Sequence, residues 1–201
     1  MKSKKINLIC ACLFLILIFS GNGQVVLSDD RPQSLTQQLK KIDANIIFMR
    51  HALAPGYGDP ENFNLNICET QRNLNFSGRQ QAINIGNHFR DENLKFNAIL
   101  SSQWCRCMET AKLLNFRIEV PFAGLNSFFE GHAPRQRTLE LLNQKISQLK
   151  GSTLNLMVTH QVVINAITGI PVSSGELVAY NSYTEKAALL DLNRKINQYK
   201  H

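Results

Sequence analysis

From residue 45 onward, short apolar runs alternate with amphipathic ones, and this alternation constrains the fold more than any other feature of the chain. Asn45 to Met49 is a brief apolar stretch with charge on both sides, the pattern of a strand buried on both faces. Ser77-Gly78-Arg79 opens a predicted helix to about Phe89, with Ala82, Ile85 and Phe89 on one face. Ala98 to Leu100 reads as a second strand, Ser102 as the cap of a helix running to about Leu114, and Ile118 to Val120 as a third strand. Leu139, Leu142, Ile146 and Leu149 recur at helical spacing within a helix spanning Arg135 to Leu149. Leu154 to Val158 is the next strand and Gln161 to Thr168 the next helix, and strands at Glu176 to Tyr180 and Ala187 to Leu192 close the chain. Strands alternating with helices predict one α/β domain, a three-layer sandwich around a mostly parallel central sheet. Its expected span is 44–201, after a polar, patternless leader at 24–43. Between the first strand and first helix, Ala54 to Asn75 is rich in Gly, Pro and Asn, a long surface loop of the kind that carries function.

The amino terminus reads as an address. Lys2, Lys4 and Lys5 precede a 12-residue apolar run, Leu8 to Phe19, which gives way to Ser20-Gly21-Asn22-Gly23. That is the layout of a secretory signal with cleavage after Gly23, and the run is short of the roughly 20 residues a membrane span needs. Residues 1–23 are therefore expected to be a signal peptide, leaving a periplasmic or secreted chain with no stable membrane span. Cys10 and Cys12 lie within the apolar run and have no lipobox after it. Removing the three lysines takes the formal charge from +7 to +4. With no dense Lys/Arg cluster elsewhere, nucleic acid is excluded as a partner.

Three cysteines remain after cleavage: Cys68, Cys105 and Cys107. Cys-x-Cys without a nearby His or second pair lacks zinc-site spacing. On a helix, Cys105 and Cys107 point about 200° apart, so neither can bridge the other. A disulfide from Cys68 to one of them is expected in an oxidising compartment. Trp104, Cys107, Met108 and Ala111 form one apolar stripe, which assigns Cys107 to the core and makes Cys105 the better partner.

In an open α/β sheet, ligands bind beyond the carboxyl ends of the strands. Arg50-His51 follow the first strand, Ser101-Ser102 and Arg106 the second, and Thr159-His160 the fourth. Two Arg and two His thus converge on one rim, and the helix start expected at Ser102 adds free N–H groups. Arginine's planar fork matches phosphate oxygens, so a phosphoryl group is the natural occupant. A neutral imidazole beside a phosphomonoester can take the phosphoryl group and split a slow hydrolysis into two displacements.

These residues resemble the histidine phosphatase superfamily, with its phosphoglycerate-mutase-like fold. Arg50-His51-Ala52 is similar to its Arg-His-Gly signature. Leu74, Gly78, Gln81 and Ala82 follow its helix-entry pattern, Arg106, Thr110 and Ala111 its Ser-x-x-x-Arg-x-x-x-Thr-Ala stretch, and Val158-Thr159-His160 its second strand-ending His. The resemblance covers residues 45 to about 192. It implies that His51 is the phosphorylated nucleophile, that Arg50, Arg106 and His160 form the phosphate pocket, and that no metal or organic cofactor takes part. The expected partner is a small-molecule phosphomonoester. The export signal and the Ser-Gln-Trp-Cys-Arg-Cys stretch resemble small exported bacterial members, whose relatives include lipopolysaccharide core heptose phosphate phosphatases, so an envelope phosphosugar is the expected substrate class.

The chain also departs from the pattern. Ala52 stands for the usual Gly, and Gln161 follows the second His. Many members carry a general-acid Glu two residues after a Leu, where this chain reads Leu125-Asn126-Ser127. Glu130 is the nearest replacement acid, although a loop carboxylate by default faces water. Loss of the acid raises the alternative of a phospho-ligand binding protein without turnover. The other polar residues read more plainly: His88 as solvent-facing, His132 as a surface-loop residue near Glu130, and His201 as tail. Gln71, Arg72 and Asn73 stand equally between substrate contact and ordinary loop polarity, and Arg106 alone would pair with Glu109 at i+3.

Overall fold

The computed structural model describes residues 33–116, 119–149 and 153–192. The expected signal segment, Ile118 and His201 lie outside these residues. The order of elements is α1 (Leu35–Lys40), β1 (Ile46–Arg50), α2 (Phe76–Asp91), β2 (Phe96–Ser101), α3 (Cys105–Leu113), β3 (Glu119–Pro121), α4 (Arg135–Gln148), β4 (Leu154–Thr159), α5 (Gln161–Thr168), β5 (Leu177–Tyr180) and β6 (Ala187–Leu190). Six strands form one sheet in the order β3-β2-β4-β1-β5-β6. The pairs β1·β4, β2·β4 and β2·β3 are parallel, and β5 and β6 add antiparallel.

Period-two alternation along the strands sorts their side chains onto two faces. Ile47, Met49, Ile99, Leu156 and Val158 pack with Leu35 and Leu39 of α1, Ile85 and Phe89 of α2, and Cys107, Ala111 and Leu114 of the α3 region. Ile46, Phe48, Leu100 and Met157 pack on the other face with Leu142 and Ile146 of α4 and Val163 and Ile164 of α5. These two cores make the expected three layers. Among the described residues no helix is long and apolar enough to cross a membrane.

Two boundaries move from their expected places. Part of the leader is helix: Ser34 Oγ accepts from the Gln37 backbone N–H at 3.2 Å, and Gln37 Oε1 accepts from the Ser34 N–H at 2.9 Å. This is a reciprocal capping box, and it starts a helix whose Leu35 and Leu39 enter the core. The helix expected from Ser102 begins instead at Cys105, with Trp104 at its cap position.

The family-like residues of α2 and α3 act as a clasp on the segment after His51. A Cβ at Gly78 would overlap the Leu53 carbonyl, so a glycine there lets α2 lie against that segment. Gln81 Oε1 accepts from the Leu53 N–H at 2.9 Å while its Nε2 donates to Ser174 O at 2.8 Å. Thr110 Oγ1 accepts from the Ala52 N–H at 3.0 Å. Gly78→Ala, which in an isolated helix gains roughly 1 kcal/mol, is expected here to destabilise the protein by about 1–3 kcal/mol through overpacking, read from urea denaturation. A more stable variant would show that α2 can withdraw from Leu53 freely.

Candidate active site

β1, β4 and β2 are adjacent and parallel, so their carboxyl ends share one edge. His51 leaves β1 with its backbone N–H on Thr159 O at 2.9 Å, and the Ser102 N–H donates to Val158 O at 2.9 Å. These two bonds carry the ladder one step beyond the strands and fix His51, Ser102 and His160 side by side. The His51 and His160 rings lie 5.5 Å apart, edge to face.

His51 is 2% exposed. Its Nδ1 lies 2.8 Å from Ala52 O, and a carbonyl can only accept, so Nδ1 carries the proton. Nε2 therefore keeps its lone pair, and it receives a long hydrogen bond from Arg106 Nε at 3.3 Å. Burial, with the Arg106 charge added to it, holds the ring's pKa well below the ordinary histidine value. His160 is buried and shifted downward for the same two reasons. Its Nε2 faces Ser102 Oγ at 2.9 Å, and that hydroxyl is spent on Asn126 Oδ1 at 3.2 Å. The network is satisfied when Nε2 donates and Nδ1, 3.5 Å from Arg106 Nη2, accepts. Ser102 thus orients His160 and does not cap a helix.

Arg106 pairs with Asp59, not Glu109. Nη1–Oδ1 is 2.7 Å and Nη2–Oδ2 is 3.1 Å, with both side chains under 5% exposed. Glu109 binds Arg79 on the surface instead. Burial opposes the charge on Asp59, but hydrogen bonds from Arg106, the Arg72 N–H and Trp104 outweigh it and hold the carboxyl below its usual value. Arg50 Nη1 donates to Val172 O at 2.8 Å, while its buried Nε has no hydrogen-bond partner.

The loop after β1 closes the site. Gln71 and Asn73 fasten it: Gln71 Nε2 donates to Asn64 O and Leu65 O, its Oε1 accepts from the Cys105 N–H, and Asn73 Nδ2 donates to Cys68 O. The Cys68–Cys105 disulfide ties the same loop to the start of α3. Arg72 is the residue of that trio that reaches the pocket. Its Nε donates to Gly58 O at 2.8 Å and its Nη1 to Ala54 O. Cys107 is a free, buried thiol whose pKa burial pushes up to about 12, so it stays protonated.

A cavity of about 340 Å³ is lined by Arg50, His51, Asp59, Arg72, Arg106, Ser127 and His160, and at its mouth by Tyr57, Phe129 and Val162. The four residues expected to meet do meet. Ser127, at the usual acid position, lines the cavity with a hydroxyl. Glu130 is not among the lining residues: its side chain is 41% exposed, and its carboxylate packs against Gly58, which does line the cavity, and faces His132 Nε2 at 3.8 Å. A left-handed backbone at Glu130 (φ 55°) belongs to the turn that carries it. The His132 ring packs on Phe63, and His88 is half-buried in the wall of a groove beside β6, where solvent exposure was expected. Asp59, Tyr57 and Phe129 were not singled out from sequence. Asp59 sits in an aperiodic Gly-rich stretch where a carboxylate reads as solvated.

The two buried rings give a stability signature. In the unfolded chain both accept protons near pH 6.5, and in the folded protein both refuse them to a lower pH. Stability must therefore fall as pH drops through 6.5, by up to about 1.4 kcal/mol per pH unit for each ring. Urea midpoints are expected to decline from pH 7 to 5.5, and the decline should flatten in a His51→Gln/His160→Gln variant. A wild-type midpoint that does not change with pH would contradict the neutral-ring assignment.

The family model described as histidine phosphatase superfamily, branch 1, matches residues 46–133, which include Arg50, His51 and Arg106. Among solved structures, the chain is similar to the protein histidine phosphatase SixA complexed with tungstate (TM-score 0.50, 12% identity, 73% of this chain and 94% of that one). It is also similar to a mycobacterial glucosyl-3-phosphoglycerate phosphatase complexed with VO3 (TM-score 0.52, 13% identity, 73% and 97%). The product of an open reading frame from Mycobacterium tuberculosis matches comparably (TM-score 0.52, 14% identity, 73% and 95%). No curated protein matches the chain in sequence. At such identities the structural likeness speaks for the fold alone, and the family model, which spans less than half of the chain, adds that residues 46–133 are similar to branch 1 of the histidine phosphatase superfamily.

Proposed function

We propose that the protein is an exported phosphatase that hydrolyses small phosphomonoesters through a phosphohistidine at His51 Nε2. One observation carries the reading: a buried imidazole whose Nδ1–H is fixed on Ala52 O presents a bare Nε2 beside the Arg106 guanidinium. A phosphoryl group held by Arg106, Arg50 and His160 would have its phosphorus facing Nε2. Attack forms the Nε2–P bond and breaks the bond from phosphorus to the ester oxygen. Water then displaces the ring from phosphorus and releases orthophosphate. The cations stabilise the equatorial oxygens in both steps. Burial keeps the ring neutral, and so nucleophilic, in mildly acidic surroundings.

The leaving oxygen needs a proton in proportion to its basicity. Asp59 is ionised and paired, Ser127 is a hydroxyl and Glu130 is not among the residues lining the cavity, so the walls favour leaving groups that depart readily. Tyr57 and Phe129, edge to face at the mouth, offer a surface for a flat ring. Export rests on the layout of residues 1–23 and supports an envelope phosphosugar as the substrate class; its basic alkoxide would then take its proton from solvent, whereas an aryl ester needs none from the walls.

His51→Ala is expected to lower turnover of p-nitrophenyl phosphate on the order of 10³-fold or more. Glu130→Gln should change kcat/KM less than about twofold on both an aryl phosphate and a sugar phosphate, since protonation by a true acid contributes roughly 10²- to 10⁴-fold. Full activity in His51→Ala would overturn the mechanism. A wild type inert on a phosphomonoester panel yet retaining orthovanadate would favour binding without turnover. Amino-terminal sequencing of protein recovered from the cell exterior or periplasm should begin at Gln24, and an intact Met1 would overturn export.

A further inference from the structure

An arginine offers five N–H donors in a rigid fork, and on Arg106 every one is engaged. Nη1 donates to Asp59 Oδ1 at 2.7 Å and to Arg72 O at 3.3 Å. Nη2 meets Asp59 Oδ2 at 3.1 Å and His160 Nδ1 at 3.5 Å, and Nε meets His51 Nε2 at 3.3 Å. The two shortest bonds go to Asp59, and the long ones to the two rings are those an incoming anion can replace. A guanidinium docks oxygens either on its end, through both Nη, or on its side, through Nε and one Nη. Asp59 takes the end, so the side faces His51 and His160.

We propose that Asp59 is a positioning residue for phosphoryl transfer: by occupying the end of the Arg106 fork, it aims the side edge at the two histidines as the docking edge for the phosphoryl oxygens. This rests on the reading of the cavity as a phosphoryl site. Asp59 is built for the task because it is itself immobilised. Oδ1 also accepts from the Arg72 N–H at 3.0 Å and Oδ2 from Trp104 Nε1 at 3.0 Å. With its four lone-pair sites filled, the carboxylate has no reason to leave when phosphate arrives. The same saturation makes it a poor proton donor. Arg50, with its unpartnered buried Nε, supplies a further cation that Asp59 does not neutralise.

A double-mutant cycle separates this role from its rivals. Asp59→Asn keeps shape but breaks the fork pairing, and is expected to lower kcat/KM for p-nitrophenyl phosphate by about 10²-fold, the scale of a misplaced contact, and to weaken orthovanadate binding. Lysine cannot hold the fork, so Asp59→Asn added to Arg106→Lys should cost less than about threefold more. Losses that multiply across the two backgrounds would overturn the proposal, pointing to an independent role in protonation or folding. Tighter orthovanadate binding by Asp59→Asn would also overturn it, as the mark of a competitor for the anion site. Should Asp59→Asn fail to fold, Trp104→Phe removes the indole bond to Oδ2 and should show the same background dependence in milder form. If wild type proves to have no phosphatase activity, the turnover reading falls, while orthovanadate titration of the same variants still decides the role of Asp59.

Discussion

A buried guanidinium must be neutralised where it stands, because an unpaired charge in the interior costs several kcal/mol or more. Arg106 is 3% exposed, and the bidentate carboxylate of Asp59 meets that requirement within hydrogen-bond distance. Much else at this end of the sheet follows from the pair. Burial beside that pair, with the Arg106 charge added to it, keeps the neighbouring imidazoles neutral, and neutrality is what leaves His51 Nε2 able to attack. With the charge matched on one edge only, the other edge is free to present a cationic face to a phosphoryl group. The buried polar cluster thus creates the electrostatic setting for chemistry, and by itself it is weak evidence of stability.

The fold delivers the pair by bringing two distant segments together. Arg106 rides on α3, whose place behind β2 and β4 is set by Cys107, Ala111 and Leu114 in the core. Asp59 rides on an aperiodic loop that would otherwise wander. Gln71 and Asn73 fasten that loop by side-chain bonds to backbone, and the Cys68–Cys105 disulfide joins it to α3 across 37 residues. Closing a loop of that length removes conformational entropy from the unfolded chain worth roughly 3–4 kcal/mol. Reduction should therefore loosen the loop that supplies the counter-charge before it disturbs the sheet.

Much of this was legible in the residues because strand ends and helix faces obey periodicity. The runs around Phe48, Leu100 and Met157 could be little other than buried strands, and once they lie parallel Arg50, His51, Arg106 and His160 must share an edge. The features that escaped are aperiodic or local. The capping box of Ser34 and Gln37 was hidden by the polarity of its surroundings, where Leu35 and Leu39 alone mark a buried face. The position of Asp59 depends on a loop path that no spacing encodes. Glu130 is close in sequence, and the turn that carries it sets the carboxylate against Gly58, beside the cavity and not among the residues that line it. Ser102 has the chemistry of a helix cap, yet its hydroxyl is worth more to His160, and the helix starts three residues later.

The central claim is that phosphate passes through Nε2 of His51, the nitrogen left bare by the Ala52 carbonyl. The most direct measurement is rapid-quench trapping during turnover of p-nitrophenyl phosphate, followed by digestion and mass spectrometry under alkaline conditions, with the phosphorylated nitrogen identified by phosphorus NMR against the two phosphohistidine isomers. The account predicts transient phosphate on His51 alone, attached at Nε2. Phosphate at Nδ1, on another residue, or on no residue while turnover proceeds would contradict it.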